Sequence, residues 1–276
     1  RQCYAIYGKM WINGPDGRMF WKHAMGRIES RDFINWSKPE LLMSPDEKDA
    51  PSVEFHTTPV FYHADCYISL MQILDRGTGG GVINIELAIS RDGLAWQRPF
   101  RDSLVLERGE DGAFDSGSIF TNATPVVLPD EIRFYYGGYS GGATAPDNRG
   151  KLSGVGLATI PRDRFAGIRP STHTENPLTG ESFEHIGQIT LKPIEVVAGC
   201  ELMLNANASA GAIHVEVLDD NGYLMRGFSK AEATPITGDA LRHPVRWRNQ
   251  SLAELAGKQV MLRLHLEKAT AYAVYV

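Results

Sequence analysis

Glu54 is the residue whose type and place in the sequence best suit acid–base chemistry, because its carboxyl group could donate or accept a proton. It precedes residues 58–61, Thr-Pro-Val-Phe, and the related residues 124–127, Thr-Pro-Val-Val, have an uncharged residue, Phe120, in the matching place. A structural feature recurs in every copy of a repeat, whereas an active site occurs once. The unique acid at this repeated position is therefore a candidate catalytic group. The alternative is a strand-edge carboxylate paired with a nearby arginine.

Other polar and aromatic residues could complete a site around Glu54. His56 falls two positions later and shares its strand face, where it could bind a hydroxyl, adjust the carboxyl pKa or simply line the site. Asp115 is a second candidate carboxylate, although its Gly-rich surroundings also suit a turn residue. Arg27 and Glu29 share one strand face and could contact ligand hydroxyls or form a structural ion pair. The aromatic residues that could stack on a ligand ring, or pack in the core, are Trp21, Tyr62 and Tyr139.

Repeated turns define the elements that must position these side chains. Residues 30–39 recur as residues 90–99, and residues 161–165 form a degenerate third copy. The aspartate of each full copy is expected to accept hydrogen bonds from backbone N–H groups of its own turn, and the tryptophan to fill a gap between neighbouring sheets. These residues are Asp32, Trp36, Asp92 and Trp96.

The segments between these turns predict short antiparallel strands. Each full repeat contains runs rich in β-branched and aromatic residues separated by polar and Gly-rich connections, which indicates a four-stranded unit of the propeller-blade kind. Residues 4–12 and 18–28 are expected to form the hairpin of an incomplete first unit around the Asp16 turn. The sequence therefore predicts an all-β fold in which residues 1–170 supply about three blades of a β-propeller.

A different pattern follows residue 170. Residues 171–184 are rich in Pro, Ser, Thr and Asn and are expected to be a linker. Residues 185–276 contain about seven short alternating runs, typical of a β-sandwich or jelly roll, with some helical character only at residues 251–255. The strands are expected at residues 187–197, 201–206, 212–219, 223–228, 245–249, 260–267 and 271–276.

Composition excludes several functional classes. A formal net charge of -5 and a pI near 5.9 argue against nucleic-acid binding, which needs a basic face. Apolar runs are too short to cross a bilayer, so a soluble protein is expected. The widely spaced Cys3, Cys66 and Cys200 indicate neither a metal site nor a disulfide framework. We expect no metal and no cofactor; the oligomeric state is open.

Four motifs together resemble glycoside hydrolase families 32 and 43, the invertase and arabinanase type. They begin at Arg27, Glu54, Phe114 and Phe134, and read Arg-x-Glu-Ser-Arg-Asp, Glu-Phe-x-x-x-Pro-Val-Phe, Phe-Asp-x-Gly-x-Ile and Phe-Tyr-Tyr-Gly-Gly. The resemblance implies a five-bladed propeller followed by a β-sandwich, with three acids on inner strands of different blades. It also implies that Glu54 is the proton donor in glycosidic cleavage, for which paired carboxyl groups are required.

The sequence departs from the family pattern before Glu54, where the expected inner-strand aspartate motif is lacking. Because the chain starts with Arg inside an expected strand, we expect the resemblance to be to an N-terminally truncated member, with the partner carboxylate upstream. The compartment is then open, and a secreted or periplasmic location is compatible. The leading hypothesis is a glycoside hydrolase acting on an oligo- or polysaccharide. The alternatives are a noncatalytic carbohydrate-binding propeller with an accessory sandwich and a protein-interaction platform.

Overall fold

The computed structural model describes residues 2–78, 80–101, 103–145, 151–171, 178 and 186–276, and over these ranges the chain is all-β, as predicted. The ordered elements are strands together with one short 3₁₀ helix at Leu252–Leu255. The strands are β1 (Tyr4–Ile12), β2 (Lys22–Ser30), β3 (Glu40–Met43), β4 (Val53–Thr57), β5 (Val60–His63), β6 (Cys66–Asp75), β7 (Val82–Ser90), β8 (Ser118–Phe120), β9 (Val126–Val127), β10 (Glu131–Tyr139), β11 (Ser153–Pro161), β12 (Ile186–Thr190), β13 (Ile194–Glu195), β14 (Met203–Asp219), β15 (Ile236–Pro244), β16 (Gln259–Glu267) and β17 (Thr270–Tyr275). No helix in the described part of the chain has the length and apolar character needed to span a membrane.

The chain divides into two compact units. The first unit comprises Arg1–Leu128 and Ile132–Thr159, and the second comprises Pro129–Glu131 and Ile160–Val276. In the first unit, β1, β2 and β3 form one antiparallel sheet whose hairpin pairs Tyr4 with Ser30 and Ile12 with Lys22.

A second sheet of the first unit contains both full repeats. Strands β4 to β7 form one antiparallel group and β8 to β11 another. A single parallel pair, Ile83 with Ser118, joins the two groups. Each repeat is therefore a separate up-and-down set of strands with a narrow connection to the next.

The two repeated turns have matching hydrogen bonds. Asp32 Oδ1 accepts from the backbone N–H groups of Ile34 and Asn35 at 2.9 and 2.7 Å. Asp92 Oδ1 accepts from the backbone N–H groups of Leu94 and Ala95 in the same way, at 2.8 Å each. The predicted role of both aspartates is confirmed. These bonds stabilise the carboxylate and lower the pKa of each aspartate.

The two tryptophans of these turns lie in different surroundings. Trp96 packs against a buried cluster contributed by β2, β4, β6 and β7, between the two sheets of the first unit, as expected. Trp36 instead packs edge-on against Phe33 at 5.4 Å, next to its own turn. The buried cluster comprises Met25, Val53, Phe55, Met71, Ile73 and Ala88.

A buried ion-pair cluster lies beside this core. Arg98 donates to Glu86 Oε2 at 2.7 Å and to Asp49 Oδ2 at 2.8 Å, and its guanidinium lies 5.0 Å from the Phe55 ring. The three charged side chains are 2%, 9% and 6% exposed, in the order Arg98, Glu86, Asp49. Burial raises the pKa of Glu86, and the Arg98 charge opposes that rise. Asp49 precedes β4, Glu86 lies on β7 and Arg98 lies in the turn after β7. The cluster therefore connects these three segments.

The second unit is a six-stranded antiparallel sheet, in which β12, β16, β14 and β15 lie side by side, β13 pairs with β16 and β17 pairs with β14. Its core is drawn from inward-facing apolar side chains of β14 and β16 together with Phe228, Trp247 and the short helix. Ser251 begins that helix with a capping box, in which its hydroxyl accepts from the Ala253 N–H and its own backbone N–H donates to the Glu254 carboxylate.

Several strand predictions for the second unit are wrong. The runs expected at residues 201–206 and 212–219 form one bent strand, β14, with register shifts near Ala208. Residues 223–228 and 245–249 form turns with isolated bridges rather than strands. The strand β15 was missed because its polar residues and Gly238 obscure the alternation.

Residues 160–168 belong with the second unit. The side chain of Asn205, fully buried, accepts from Arg164 Nε at 2.8 Å and donates to the Arg162 carbonyl at 2.8 Å. Asp163 of the degenerate third turn accepts from the Tyr275 hydroxyl at 2.5 Å. Of the linker expected at residues 171–184, only Ser171 and Leu178 lie within the described residues.

Candidate functional site

Glu54 lies on β4 with its side chain on the face opposite the core. Because side chains alternate along a strand, Val53 and Phe55 enter the buried cluster while Glu54 and His56 lie on the other face. Glu54 is nevertheless only 1% exposed. The corresponding strand of the next repeat, β8, carries no acid. A buried carboxylate is costly unless it is paired, so its partners define what this site can do.

Three nitrogen atoms surround the Glu54 carboxylate. Arg76 Nε donates to Oε1, and the backbone N–H of His23 donates to Oε2 at 2.9 Å. The His23 ring nitrogen Nδ1 lies 3.1 Å from the same Oε2. The Arg76 side chain is 49% exposed, so one partner of this buried acid reaches solvent. The carboxylate is held in one orientation from two sides.

The His23 imidazole packs against an aromatic ring tilted 34° from it. The Trp11 ring centroid lies 3.7 Å from that of His23, because the β1–β2 hairpin pairs these two residues directly. Burial lowers the pKa of His23, and the neighbouring Glu54 charge opposes that shift. Trp11 itself is 43% exposed and presents the rest of its ring to solvent.

His56 begins a second chain of polar contacts on the same face. Its Nδ1 lies 3.1 Å from Gln72 Oε1, and Gln72 Nε2 donates to the Thr121 carbonyl at 3.1 Å. The Thr121 hydroxyl donates to the Leu70 carbonyl at 2.8 Å. The His56 ring meets Phe120 edge-on at 5.4 Å. This chain connects β4 and β6 to the end of β8.

Buried His23 and half-buried His56 predict that the first unit loses stability in acid. Burial lowers the pKa of both His23 and His56 below the ordinary value of 6.5. Above that value both folded and unfolded chains hold neutral imidazoles, and below it the unfolded chain takes up protons first, so the free energy of unfolding falls as the pH falls. We expect His56→Gln to reduce this loss between about pH 7 and pH 5, measured by thermal denaturation at each pH. An unchanged pH dependence in the variant would contradict the assignment to His56.

An aromatic cavity adjoins this polar chain. Tyr139 and Phe120 meet edge-on at 5.4 Å and form part of the wall of a cavity of about 340 Å³. Tyr139, predicted as a stacking residue, is 50% exposed. Phe120 contacts both His56 and Tyr139, so the cavity lies beside the face that carries Glu54. The other lining residues are Ser118, Gly137, Gly141, Gly142, Ala143 and Lys151.

Asp115 is buried in a separate contact at the start of β8. It is 6% exposed and accepts from the Tyr136 hydroxyl at 2.7 Å. Burial first, and the Asp115 carboxylate second, raise the pKa of Tyr136 to about 12. Gly138 is required here, since a Cβ atom at that position would come within 2.5 Å of Asp115 Cβ. The tyrosine therefore fixes the orientation of the second candidate carboxylate.

Arg27 and Glu29 do not join Glu54. Their side chains form an ion pair at 2.8 Å, and Arg27 lies over the Tyr7 ring at 5.8 Å. Arg27 follows His23 by four residues on β2, about 13 Å along a strand. The structure places this pair at the other end of β2, in the arrangement of a structural ion pair.

The remaining aromatic candidates lie outside this cluster. Trp21 precedes β2 and packs under the Lys22 ammonium at 4.7 Å. Tyr62 donates from its hydroxyl to Asp65 at 3.0 Å on a neighbouring turn.

The residues that complete the site were missed by sequence reasoning. Arg76 reaches Glu54 through the pairing of β4 with β6, whereas His23 reaches it from the other sheet of the first unit. Trp11 joins the site through its pairing with His23. The Trp11–His23 pair could have been found by fixing the hairpin register from its Asn-Gly-Pro-Asp-Gly turn. For Arg76, the only signal was a cation directly after a predicted strand. No group of three or more His, Cys, Asp or Glu side chains in the described ranges is arranged to hold a metal ion.

Comparison with known proteins gives distant structural likenesses. No family model matches the chain, and no curated protein sequence matches it. Zg3597, a family 117 glycoside hydrolase from Zobellia galactanivorans, is similar over 95% of this chain and 80% of its own, at 15% identity and a TM-score of 0.46. An N-acetylgalactosamine deacetylase from F. plautii, in complex with blood group B trisaccharide, is similar over 59% of this chain, at 18% identity and a TM-score of 0.43. The chain spans 48% of the length of that deacetylase.

A third similar structure is the Bombyx mori GH32 β-fructofuranosidase mutant in complex with sucrose, aligned over 99% of this chain and 76% of its own, at 11% identity and a TM-score of 0.37. These TM-scores lie below 0.5, so a function has to be inferred from the side chains of this chain.

Proposed function

We propose that this protein is a glycoside hydrolase in which Glu54 supplies the catalytic proton. The observation that carries the proposal is a single acid on β4, 1% exposed, fixed by Arg76 and His23 and lying on the face next to the aromatic cavity. Exposed aromatic rings can pack against the apolar face of a sugar, and a rigid carboxyl group beside them can reach the polar glycosidic oxygen. Glycosidic cleavage depends on a carboxyl group held in such a position beside the bond.

The sequence repeats also support a proposal for the fold of both units. We assign the first unit as about three blades of a five-bladed propeller and the second unit as a β-sandwich. The matching Asp32 and Asp92 turns and the packing of Trp96 between sheets support the blade assignment. In such an arrangement β4 and β8 are inner strands, which places their first residues toward a shared central cavity.

The reaction needs two carboxyl groups with different roles. In its ion pair with Arg76, Glu54 has no proton to give, so it must take one up from solvent once Arg76 has moved away. Glu54 then protonates the bridging oxygen, the bond from that oxygen to the anomeric carbon breaks, and the electron pair stays on the oxygen. A second carboxylate takes a proton from the water that adds to the carbon, and we assign Asp115, oriented by Tyr136, to this role. Because Arg76 contacts Glu54 and is half exposed, its side chain must swing aside when a saccharide enters.

One observation favours a second candidate function, noncatalytic carbohydrate binding. All of the Glu54 contacts described above come from nitrogen atoms, an arrangement that also suits a carboxylate held permanently as a structural anchor. In that case Tyr139, Phe120 and Trp11 would hold a saccharide that is not cut.

A panel of saccharides separates the two functions. The protein would be incubated with fructosides, arabinosides and galactosides, while released reducing sugar and binding heat are measured in parallel. The hydrolase proposal predicts sugar release from at least one member of the panel. Saturable binding with no release from any bound saccharide would favour the noncatalytic function instead.

A further inference from the structure

A second cavity is lined by both sheets of the first unit, toward the end of β2 opposite to His23. It has a volume of about 240 Å³, smaller than the range of about 300–1000 Å³ in which drug-sized ligands bind. The cavity therefore suits a single small ring. Its walls include Tyr7, Arg27, Tyr62, Tyr67 and Asp92.

The cavity adjoins the second copy of the repeated turn, which differs from the first copy in its aromatic packing. Tyr4 and Tyr67 hold matching positions, because each is paired with the serine that opens its turn. In the first copy the Phe33 ring packs edge-on against Tyr4 at 5.1 Å. Gly93 replaces Phe33 in the second copy, so its turn has no side chain with which to cover Tyr67 in this way.

Tyr7 of β1 reaches the second turn from the other sheet. Its hydroxyl donates to the Gly93 carbonyl at 2.9 Å, and a Cβ atom at Gly93 would come within 2.5 Å of that hydroxyl. The glycine is therefore needed for this contact between sheets. Tyr62 packs edge-on against Tyr67 at 5.0 Å and is 59% exposed. The cavity thus has walls of tyrosine, and Tyr62 also presents its ring to solvent.

The second turn also has an acceptor that the first turn uses internally. In the first copy, Asp32 Oδ2 accepts from the Asn35 side chain at 2.7 Å. Ala95 holds the matching position in the second copy and has no such donor. Asp92, which lines the cavity, accepts from its own turn through Oδ1. Its Oδ2 can therefore accept from a hydroxyl group of a ligand.

Arg27 adds a donor to the walls of this cavity. It is 6% exposed and is held in place by its ion pair with Glu29 at 2.8 Å. Its buried Nε has no hydrogen-bond partner among the residues that the structure describes. A buried N–H group without an acceptor destabilises a protein, so a ligand oxygen that reached this guanidinium would remove a cost.

We propose that this cavity binds a neutral sugar ring and is a saccharide site separate from Glu54. Tyrosine rings pack against the apolar face of a sugar, while a guanidinium and a carboxylate bind its hydroxyl groups. The Asp92 carboxylate accepts from a hydroxyl but repels an acid group, which favours a neutral ring. Gly93 and Ala95, the two differences from the first copy, both lie in the turn that borders the cavity. The site requires no turnover at Glu54.

Binding of free monosaccharides tests this inference, because these sugars have no glycosidic bond to cleave. D-Galactose, L-arabinose and D-fructose would each be titrated into the protein and followed by NMR chemical shifts, and we expect saturable binding of at least one. Tyr62→Ala removes the exposed ring and should weaken that binding by about tenfold. Ala95→Asn restores the amide found in the first copy, which should occupy Asp92 Oδ2, preserve the fold and weaken binding by a similar factor.

The matched control for Tyr62→Ala is Tyr223→Ala, which changes a tyrosine of the second unit that is 74% exposed and should bind sugar as the parent does. Binding that persists unchanged in both cavity variants would overturn the inference, and its loss in Tyr139→Ala would then place the sugar in the other cavity. Failure of all three sugars to bind the parent protein would overturn it too. Sugar release from the oligosaccharide panel is measured separately, so either proposal can fail while the other stands.

Discussion

Glu54→Gln is expected to lower sugar release by at least about a hundredfold, the usual contribution of a positioned general acid. The amide keeps the size of the side chain and can still accept a hydrogen bond from Arg76 or from the His23 N–H, so the local structure should persist. It cannot provide the proton that the leaving oxygen requires. The measurement is the initial rate of reducing-sugar release from the substrate identified by the panel, with saccharide binding measured separately.

Glu86→Gln is the matched control for that variant. Glu86 is likewise buried and paired with an arginine, but it faces the core cluster rather than the aromatic cavity. Both variants remove one buried negative charge from an ion pair, and the larger loss of stability is expected for Glu86→Gln, because its partner Arg98 is buried whereas Arg76 is half exposed. Only the change at Glu54 should abolish turnover. Equal rates for Glu54→Gln and the parent protein would remove this residue from the mechanism.

Arg98→Met is expected to produce the largest loss of stability in the first unit, about 3–5 kcal/mol in the free energy of unfolding. The change leaves the Glu86 and Asp49 carboxylates buried and without their shared cation, while the methionine retains most of the packing on Phe55. Urea denaturation of the variant and parent measures the difference. Because burial already raises the pKa of Glu86, the difference should shrink in acid, where the buried carboxyl is neutral.

Arg101→Met provides the comparison for Arg98. Arg101 also pairs with aspartates, but its main partner, Asp46, is 37% exposed and can be solvated when the arginine is lost. A loss of less than about 1 kcal/mol is expected, as for exposed ion pairs. Losses of equal size for the two arginine variants would show that burial does not determine how much each ion pair contributes to stability.

The sequence predicted the parts of the fold that local chemistry determines. The β-branched runs of β6 and β7 and the aspartate turns were found because strand propensity and the Asp side-chain bonds act within a few residues. The short strand β3 escaped detection, since four residues carry little periodic signal. The second unit shows the same limit: β14 was divided at Ala208, where a register shift interrupts the alternation.

For the candidate site, the sequence repeat identified Glu54, but the sequence did not predict which residues contact it. Glu54 stood out because the second copy of its segment lacks an acid, and this comparison needs no structure. Its partners His23 and Arg76 lie 31 residues before it and 22 residues after it, and only the three-dimensional arrangement of the strands brings them together. The same dependence explains Arg27 and Glu29, whose shared strand face was recognised although their separation along β2 from His23, the residue that contacts Glu54, was not.

A crystal structure of the Glu54→Gln variant with a bound oligosaccharide would show whether position 54 lies at the bond that is cut. We expect a glycosidic oxygen within about 3 Å of the side chain at position 54. We also expect a sugar ring against Tyr139 or Phe120 and the Arg76 side chain turned away. A saccharide bound on another face of the first unit, or in this cavity with its glycosidic bonds out of reach of position 54, would show that Glu54 is not the proton donor.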